Sequence, residues 1–311
     1  MDVAVITICS RRKRLETEAK LSGQRFTSRT LASVAEKWGR ACKTATTKVP
    51  AESLYSGRGF GEVKKAATAV GADLWVISAG YGLIHKSHLV AAYDLTISPN
   101  SPQSVDRLVG DQNVSLSEWW TYINKGKRTR AIAQLVSSSP KTLFVIGLTR
   151  PYFRMIEKDL ETLSADSLNR VRLIGVSHDA IENRGLGKVL LPYDERLESL
   201  GPPFAGTRSD FPQRATRHFL ERVWQSGSGN SLRTHKSRVA GALSGLAKPK
   251  KITRQKMGDQ ELLGLITKHW QDIEGQSGKG LRFFRDHLGV ACEQGRFKTL
   301  FHEAKQKQSA I

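Results

Sequence analysis

A chain of 311 residues with a net charge of +20, 39% hydrophobic residues and three cysteines excludes several classes at once. It is too long for one minimal domain, has no run near the roughly 20 apolar residues that a membrane span needs, and its odd cysteine count without a Cys-x-x-Cys pair argues against a disulfide framework or a structural zinc site. The charge points to a polyanion, nucleic acid before a membrane surface.

Asp2 to Ile8 reads as a first strand with no basic leader before it, so the expected compartment is the cytoplasm. Cys9-Ser10-Arg11-Arg12-Lys13-Arg14 follows directly. A serine and four cations at a strand end suit a phosphate cradle, with Ser10, Arg12 and Lys13 as contacts; a solvent-facing turn is the alternative. Leu31, Val34, Ala35 and Trp38 repeat at helical spacing. Pro50 to Gly61 is a Gly-rich loop leading into a helix over Glu62 to Val70, with Tyr55 and Phe60 either core residues beneath it or, for Tyr55, part of a nucleic-acid face.

Asp73 to Ser78 reads as a central buried strand, because an unbroken apolar run opened by an acid suits a parallel sheet covered on both faces. The Gly80-Tyr81-Gly82 turn then falls at its carboxyl end, where open α/β sheets bind ligands, so Ser78, Tyr81 and Asp94 become site candidates. A strand-to-helix corner whose glycines serve only the backbone is the rival reading. His85 to Pro102 reads as loop, and His85 and His88 have neither a helix nor further ligands around them, so no metal is expected. Trp119-Trp120-x-Tyr122 runs into Lys125, Lys127, Arg128 and Arg130, which fits stacking on nucleic acid or an ordinary helix core.

Lys141 to Gly147 is the next strand, and the helix from Phe153 to Leu163 places Arg150 and Tyr152 at the same sheet edge as Tyr81. Val171 to Val176 is another, closing on Ser177-His178-Asp179. Four strands separated by helical stretches predict an α/β fold with a mostly parallel sheet and flanking helices. Gly, Ser and Pro clusters near residues 200 and 225–230 divide an α/β core, 1–225, from a basic all-α module, 226–311. In the latter, Leu262, Ile266, Trp270 and Ile273 form one apolar stripe and Leu281, Phe284 and Leu288 another. Arg282, Arg285, Arg296 and Lys298 are left for the surface, as in a helix-turn-helix DNA-binding module; a helical cap or dimerisation bundle is the rival.

Ser78-Ala79-Gly80-Tyr81-Gly82-Leu83 with Tyr93-Asp94 downstream resembles a bacterial family marked by Ser-Ala-x-Tyr-Gly-Leu followed by Pro-Tyr-Asp, itself similar to the YaaA proteins. Cys9, Ser10 and Lys13 after the first strand, Leu54-Tyr55-Ser56 with Phe60, and Gly147 with Tyr152 fit in the same order, so the likeness covers about residues 1–160. Ala92 stands where that family has proline. The resemblance implies a DNA-binding α/β fold related to uracil-DNA glycosylases and to base-exchanging enzymes of deazaguanine biology. The chain lacks the Gly-x-Asp-Pro-Tyr and His-Pro-Ser motifs of the best-known uracil glycosylases, which argues against uracil as substrate. It also looks like the anti-phage glycosylases that excise glucosylated hydroxymethylcytosine, which would make its role antiviral defence.

These features predict a DNA glycosylase that flips out a modified base and leaves an abasic site. Such an enzyme must steady an oxocarbenium sugar and a departing base anion. Asp94 is cast as the carboxylate that positions water or steadies the sugar, with Asp179 in reserve and His178 as a proton donor. Tyr81 and Tyr152 are cast as stacking walls, and Arg12 and Arg150 as phosphate or leaving-group contacts. DNA is the expected partner, with no cofactor, no membrane and no obligate protein partner. A non-catalytic DNA-binding protein and a base-exchange enzyme are the alternatives; a phosphodiesterase fits less well, because no acidic cluster suggests a two-metal site.

Overall fold

A computed structural model describes residues 2–98, 101–109, 114–124, 132–181, 183–227, 229–249 and 253–309. The chain divides into two compact units, Met1–Pro249 and Lys250–Ile311.

The first unit opens with β1 (Asp2–Ile8). Its alternation of faces sends Val3 and Val5 into one core and Ala4, Ile6 and Ile8 into another, so both faces are covered. Thr30 starts α1 (Leu31–Lys43) by accepting the amide of Ser33 on its side chain. There follow β2 (Val49–Pro50), α2 (Ala51–Leu54), α3 (Arg58–Ala69), β3 (Asp73–Ser78), β4 (Gly82–His85), β5 (Leu89–Val90), α4 (Leu116–Asn124) and α5 (Ile132–Ser137). The unit is completed by β6 (Thr142–Gly147), α6 (Arg150–Leu160), α7 (Ala165–Asn169), β7 (Val171–Ile174), α8 (Arg184–Val189), α9 (Phe211–His218), a π turn over Phe219–Val223, and α10 (Leu232–Ala242).

The main sheet has the order β4-β3-β1-β6-β7, with every pair parallel except β3 and β4. Trp38 of α1, Trp119 of α4 and Phe153 of α6 pack on one face; Val63 of α3, Ala215 of α9 and Val239 of α10 pack on the other. The fold is therefore α/β, a mostly parallel sheet between two helical layers. Complete burial of residues such as Ile6, Val5 and Phe153 is worth about 1.5–3 kcal/mol each and supplies the drive for that layering. From β1 the chain proceeds first to its neighbour β3 and later to its other neighbour β6, so the strand order reverses beside β1, the position at whose carboxyl end open α/β sheets bind ligands.

The four expected strands form where the apolar runs placed them, with the last ending at Ile174. One rival reading falls, one open alternative is decided, and two expectations change. The Gly80-Tyr81-Gly82 turn is not the strand-to-helix corner of the rival reading: it is a hairpin into β4, with Ser78 paired to Gly82. The stretch expected as loop from His85 to Pro102 carries the short β5. Gly82 has φ 71, and a Cβ there would fall 2.4 Å from Oδ1 of Asn124, which accepts the Leu83 amide. Trp119 and Trp120 are core residues, 0% and 3% exposed, with indole N–H groups donated to the Ala79 carbonyl and to Asp159. The cations expected beside them, Lys125, Lys127, Arg128 and Arg130, lie outside the described residues. The boundary expected after residue 225 falls instead after Pro249, because α10 buries Val239 and Leu243 in the first unit.

The second unit comprises β8 (Gln255–Lys256), α11 (Asp259–Lys268), α12 (Ser277–Asp286), β9 (Val290–Ala291) and α13 (Gln294–Ser309), with β8 and β9 paired in parallel. The Glu261 side chain accepts the Gly258 amide at 2.8 Å and fixes the start of α11. Leu262, Ile266, Ile273, Phe284, Phe297 and Phe301 form its own core, and Trp270 stacks on Phe301 at 5.0 Å. Among the described residues no helix is long and apolar enough to cross a membrane.

Candidate functional site

Cys9 follows β1 directly, and its amide continues the parallel ladder by donating to Ile77 at 3.0 Å, which sets it beside Ser78 at the end of β3. The basic run after it is tied down by backbone bonds: Ser56 donates to the Arg12 carbonyl and Arg14 to the Leu54 carbonyl, both at 3.0 Å. Lys13 pairs with Tyr55 in an isolated bridge between them. The chain around Asp94 is held in the same way, since its amide donates to Leu21 and its carbonyl accepts from Gly23. Tyr152 enters from the first turn of α6, where Pro151 sits at a position that needs no amide donor.

These stretches bring four hydroxyls and a thiol together. Tyr55 donates to Ser78 Oγ at 3.0 Å, and Ser78 Oγ and the Tyr93 hydroxyl are 2.8 Å apart. Ser78 Oγ also accepts the amides of Tyr81 and Gly80, so its single proton is directed to Tyr93. Tyr93 in turn donates to Cys9 Sγ at 3.5 Å, and the Tyr152 hydroxyl lies 3.1 Å from the same sulfur. Burial first, and the neighbouring Cys9 second, push the hydroxyls of Tyr55, Tyr93 and Tyr152 well above the ordinary tyrosine value. They therefore remain protonated donors at neutral pH.

Lys13 covers this network, with Nζ 4.2 Å from the centroid of the Tyr93 ring. Burial lowers its pKa, while Cys9 and Asp94 nearby pull the other way. Asp94, Lys13, Cys9, Ser10 and Tyr152 are half-buried, whereas Arg12 and Arg150 are exposed. This edge thus carries exposed cations together with a half-buried carboxylate, amine and thiol. Ser10 spends its hydroxyl proton on the Arg12 carbonyl at 2.6 Å, so it shapes the turn and retains only acceptor capacity.

Several expected site residues are buried: Ser78 is 0% exposed, Tyr55 2% and Tyr81 5%. The Tyr81 hydroxyl, expected as part of a stacking wall, accepts the Ala91 amide at 3.0 Å, and its ring packs against Tyr93. At Gly80 a Cβ would press on Trp38 and Tyr93 at 3.0 Å, and the Gly80 carbonyl accepts the Trp38 indole. Asp179 and His178 lie beyond β7, both exposed. A hydrogen bond from Ser177 lowers the Asp179 carboxyl, with Arg150 contributing, so Asp179 and Arg150 share the outer part of the same edge. His85, which the sequence excludes as a metal ligand, is engaged by Asp73 and Ser87 at 2.7 Å each.

The groups that sequence reasoning underweighted are Cys9 and Tyr93. A half-exposed cysteine at the carboxyl end of the first strand was the available signal; its meeting with residues 84 and 143 positions away was not. At the opposite edge of the sheet a cavity of about 560 Å³ is lined by Asp2, Asp73, Trp75 and Trp224, but the Asp73 carboxylate is already held by Trp75 and His85.

In the second unit, Arg254, Lys256, Arg285 and Arg296 line a cavity of about 490 Å³ beside Cys292 and Glu293. Arg285 is fixed by the Cys292 carbonyl at 2.8 Å and Arg296 by Asp259 at 2.6 Å. Arg282 and Lys298 are exposed on α12 and α13.

A model of a family of unknown function (DUF6884) matches residues 40–115. That span holds Tyr55, Ser78, Tyr93 and Asp94 but neither Cys9, Lys13 nor Tyr152. No curated protein and no solved structure matches the chain.

Proposed function

We propose that this protein is a DNA glycosylase that excises a modified base, with hypermodified phage cytosine as the substrate class and cytoplasmic DNA as its setting. The observation that carries the proposal is the cluster in which Tyr152 and Tyr93 adjoin Cys9 and Lys13 lies over Tyr93, with half-buried Asp94 next in sequence and Arg12 and Arg150 exposed, in a protein of charge +20. The glycosidic bond is out of reach inside a stacked duplex, so the nucleotide must swing into the recess while rim cations hold its phosphates. Asp94 then faces the developing sugar cation, and the Tyr152 ring offers a stacking surface. Arg12 and Arg150 supply donors for the departing base anion. The resemblance of Ser78 to Leu83 and of Tyr93-Asp94 to the Ser-Ala-x-Tyr-Gly-Leu and Tyr-Asp motifs of a bacterial family, which implies a fold related to uracil-DNA glycosylases, supports the same reading. The arginine-lined cavity of the second unit gives the protein an additional phosphate-binding surface.

Incubation with unmodified DNA and with phage DNA carrying hypermodified cytosine, followed by alkali or an abasic-site endonuclease and a denaturing gel, tests the proposal. Breaks that appear on modified DNA after the second step are the expected result. Absence of breaks on every DNA, despite salt-sensitive binding, would reassign the protein as a binding module.

A further inference from the structure

We infer that Lys13 is an amine nucleophile toward the abasic sugar, so that the protein cleaves the DNA strand after base removal as a lyase. This rests on the excision reading above and extends it to a second step.

The side chain is placed for the task. The bridge to Tyr55 and the bonds of Arg12 and Arg14 to the neighbouring segment fix its backbone. Its Nζ sits over the Tyr93 ring at 4.2 Å, half-buried, and Tyr93 itself donates to Cys9 Sγ. Among the described residues it forms no ion pair within 4 Å, and its one side-chain hydrogen bond is a long one, 3.4 Å to the Arg11 carbonyl. Its ammonium ends on an aromatic face, the Tyr93 ring, and not on a carboxylate. Burial and the nearby Arg11 lower its pKa, against Cys9 and Asp94, which increases the share of free amine at neutral pH.

The chemistry closes without an oxidant or reductant. Base removal leaves a sugar whose open form carries an aldehyde at C1′. The Lys13 amine adds to C1′, water departs, and an iminium forms. A base, for which Asp94 is positioned, removes a proton from C2′; the C3′–O bond breaks and the 3′ phosphate leaves with its electron pair. Water then hydrolyses the imine and frees Lys13.

The test uses the full chain and a duplex with one preformed abasic site, so no base need be excised. Borohydride is added, adducts are resolved on a denaturing gel, and the site is located by peptide mass mapping. We expect a covalent adduct on Lys13 that falls by about tenfold or more in both K13R, which keeps the charge without a nucleophilic amine, and K13Q. Unchanged adduct in both variants, or a map to another amine, overturns the inference. No adduct from the wild-type protein also overturns it, and parallel alkali treatment of phage DNA decides separately whether base excision stands. Circular dichroism of both variants shows whether a loss reflects chemistry or folding.

Discussion

Arg172 donates through Nε to Nδ1 of His235 at 2.8 Å, and both side chains are essentially without solvent exposure. Arg172 is a strand residue in β7 and forms no ion pair among the described residues; its other partners are the carbonyls of Asn169, Val171 and Asn230. The imidazole must be neutral to accept, so its Nε2–H is left for Asn230 Oδ1 at 3.2 Å. Burial, then Arg172 and Arg238, lower the His235 pKa to about 4.

That depression gives stability a pH dependence with a defined sign. The unfolded histidine takes up a proton near its ordinary 6.5 and the folded one only near 4, so stability is constant above the first value and falls toward the second. The loss should be about 3 kcal/mol for this residue. His218, lowered to about 4 chiefly by burial, acts in the same window. Urea denaturation at pH 7 and pH 4.5 should show the drop, and H235A should reduce both stability at pH 7 and the pH slope.

A chain ending at Pro249 should fold alone, because the first unit holds α10 within its own core. One ending at residue 225 should precipitate, since it strips Val239 and Leu243 from the core and leaves Arg172 without His235 and Asn230. Loss of the second unit should also weaken DNA binding and lower its salt dependence. Solubility, circular dichroism and binding at two salt concentrations check these points.

Arg214 is 0% exposed and engages Glu198, Asp210 and the carbonyls of Phe204 and Thr207. R214A should cost about 3–5 kcal/mol, because two carboxylates and two carbonyls, one of them buried, lose their donor together. R214K should recover only part of this, having no planar fork. Denaturant midpoints give the comparison.

Thiol titration under native conditions should reveal one fast-reacting group. Cys9 is half-exposed while Cys42 and Cys292 are buried. C9A should remove the fast phase. Y152F should change its rate while costing at most about 1 kcal/mol of stability, since it removes one hydrogen bond and keeps the ring.

D94N should abolish base release while leaving DNA affinity nearly unchanged, because the rim cations remain. A parallel loss of binding and cleavage would mean that Asp94 supports the loop through its surroundings and not the chemistry. Gel-shift and alkali-cleavage assays on one preparation separate the two.

The strands were legible because buried parallel strands are written as unbroken apolar runs, and Asp73 to Ser78 is such a run. The hairpin to β4 was not, since four residues after a Gly-Tyr-Gly turn carry no period long enough to read. The module boundary was misplaced because the Gly and Ser residues around Asn230 mark a loop, and only the burial of His235 shows that the following helix returns to the core. At the site, Asp94 and Tyr152 could be proposed from their place at strand ends. That Ser78, Tyr55 and Tyr81 are internal supports follows from long-range packing, which no local pattern encodes.

Cys9 and Tyr152 are 143 positions apart in the chain, and that interval has a meaning during synthesis. At ordinary elongation rates the ribosome needs roughly 7 to 30 s to travel that distance. Throughout it the nascent first strand presents its thiol without the hydroxyl that later adjoins it. The interval makes the unfinished chain, more than the finished protein, the form most open to oxidation or adventitious pairing at Cys9.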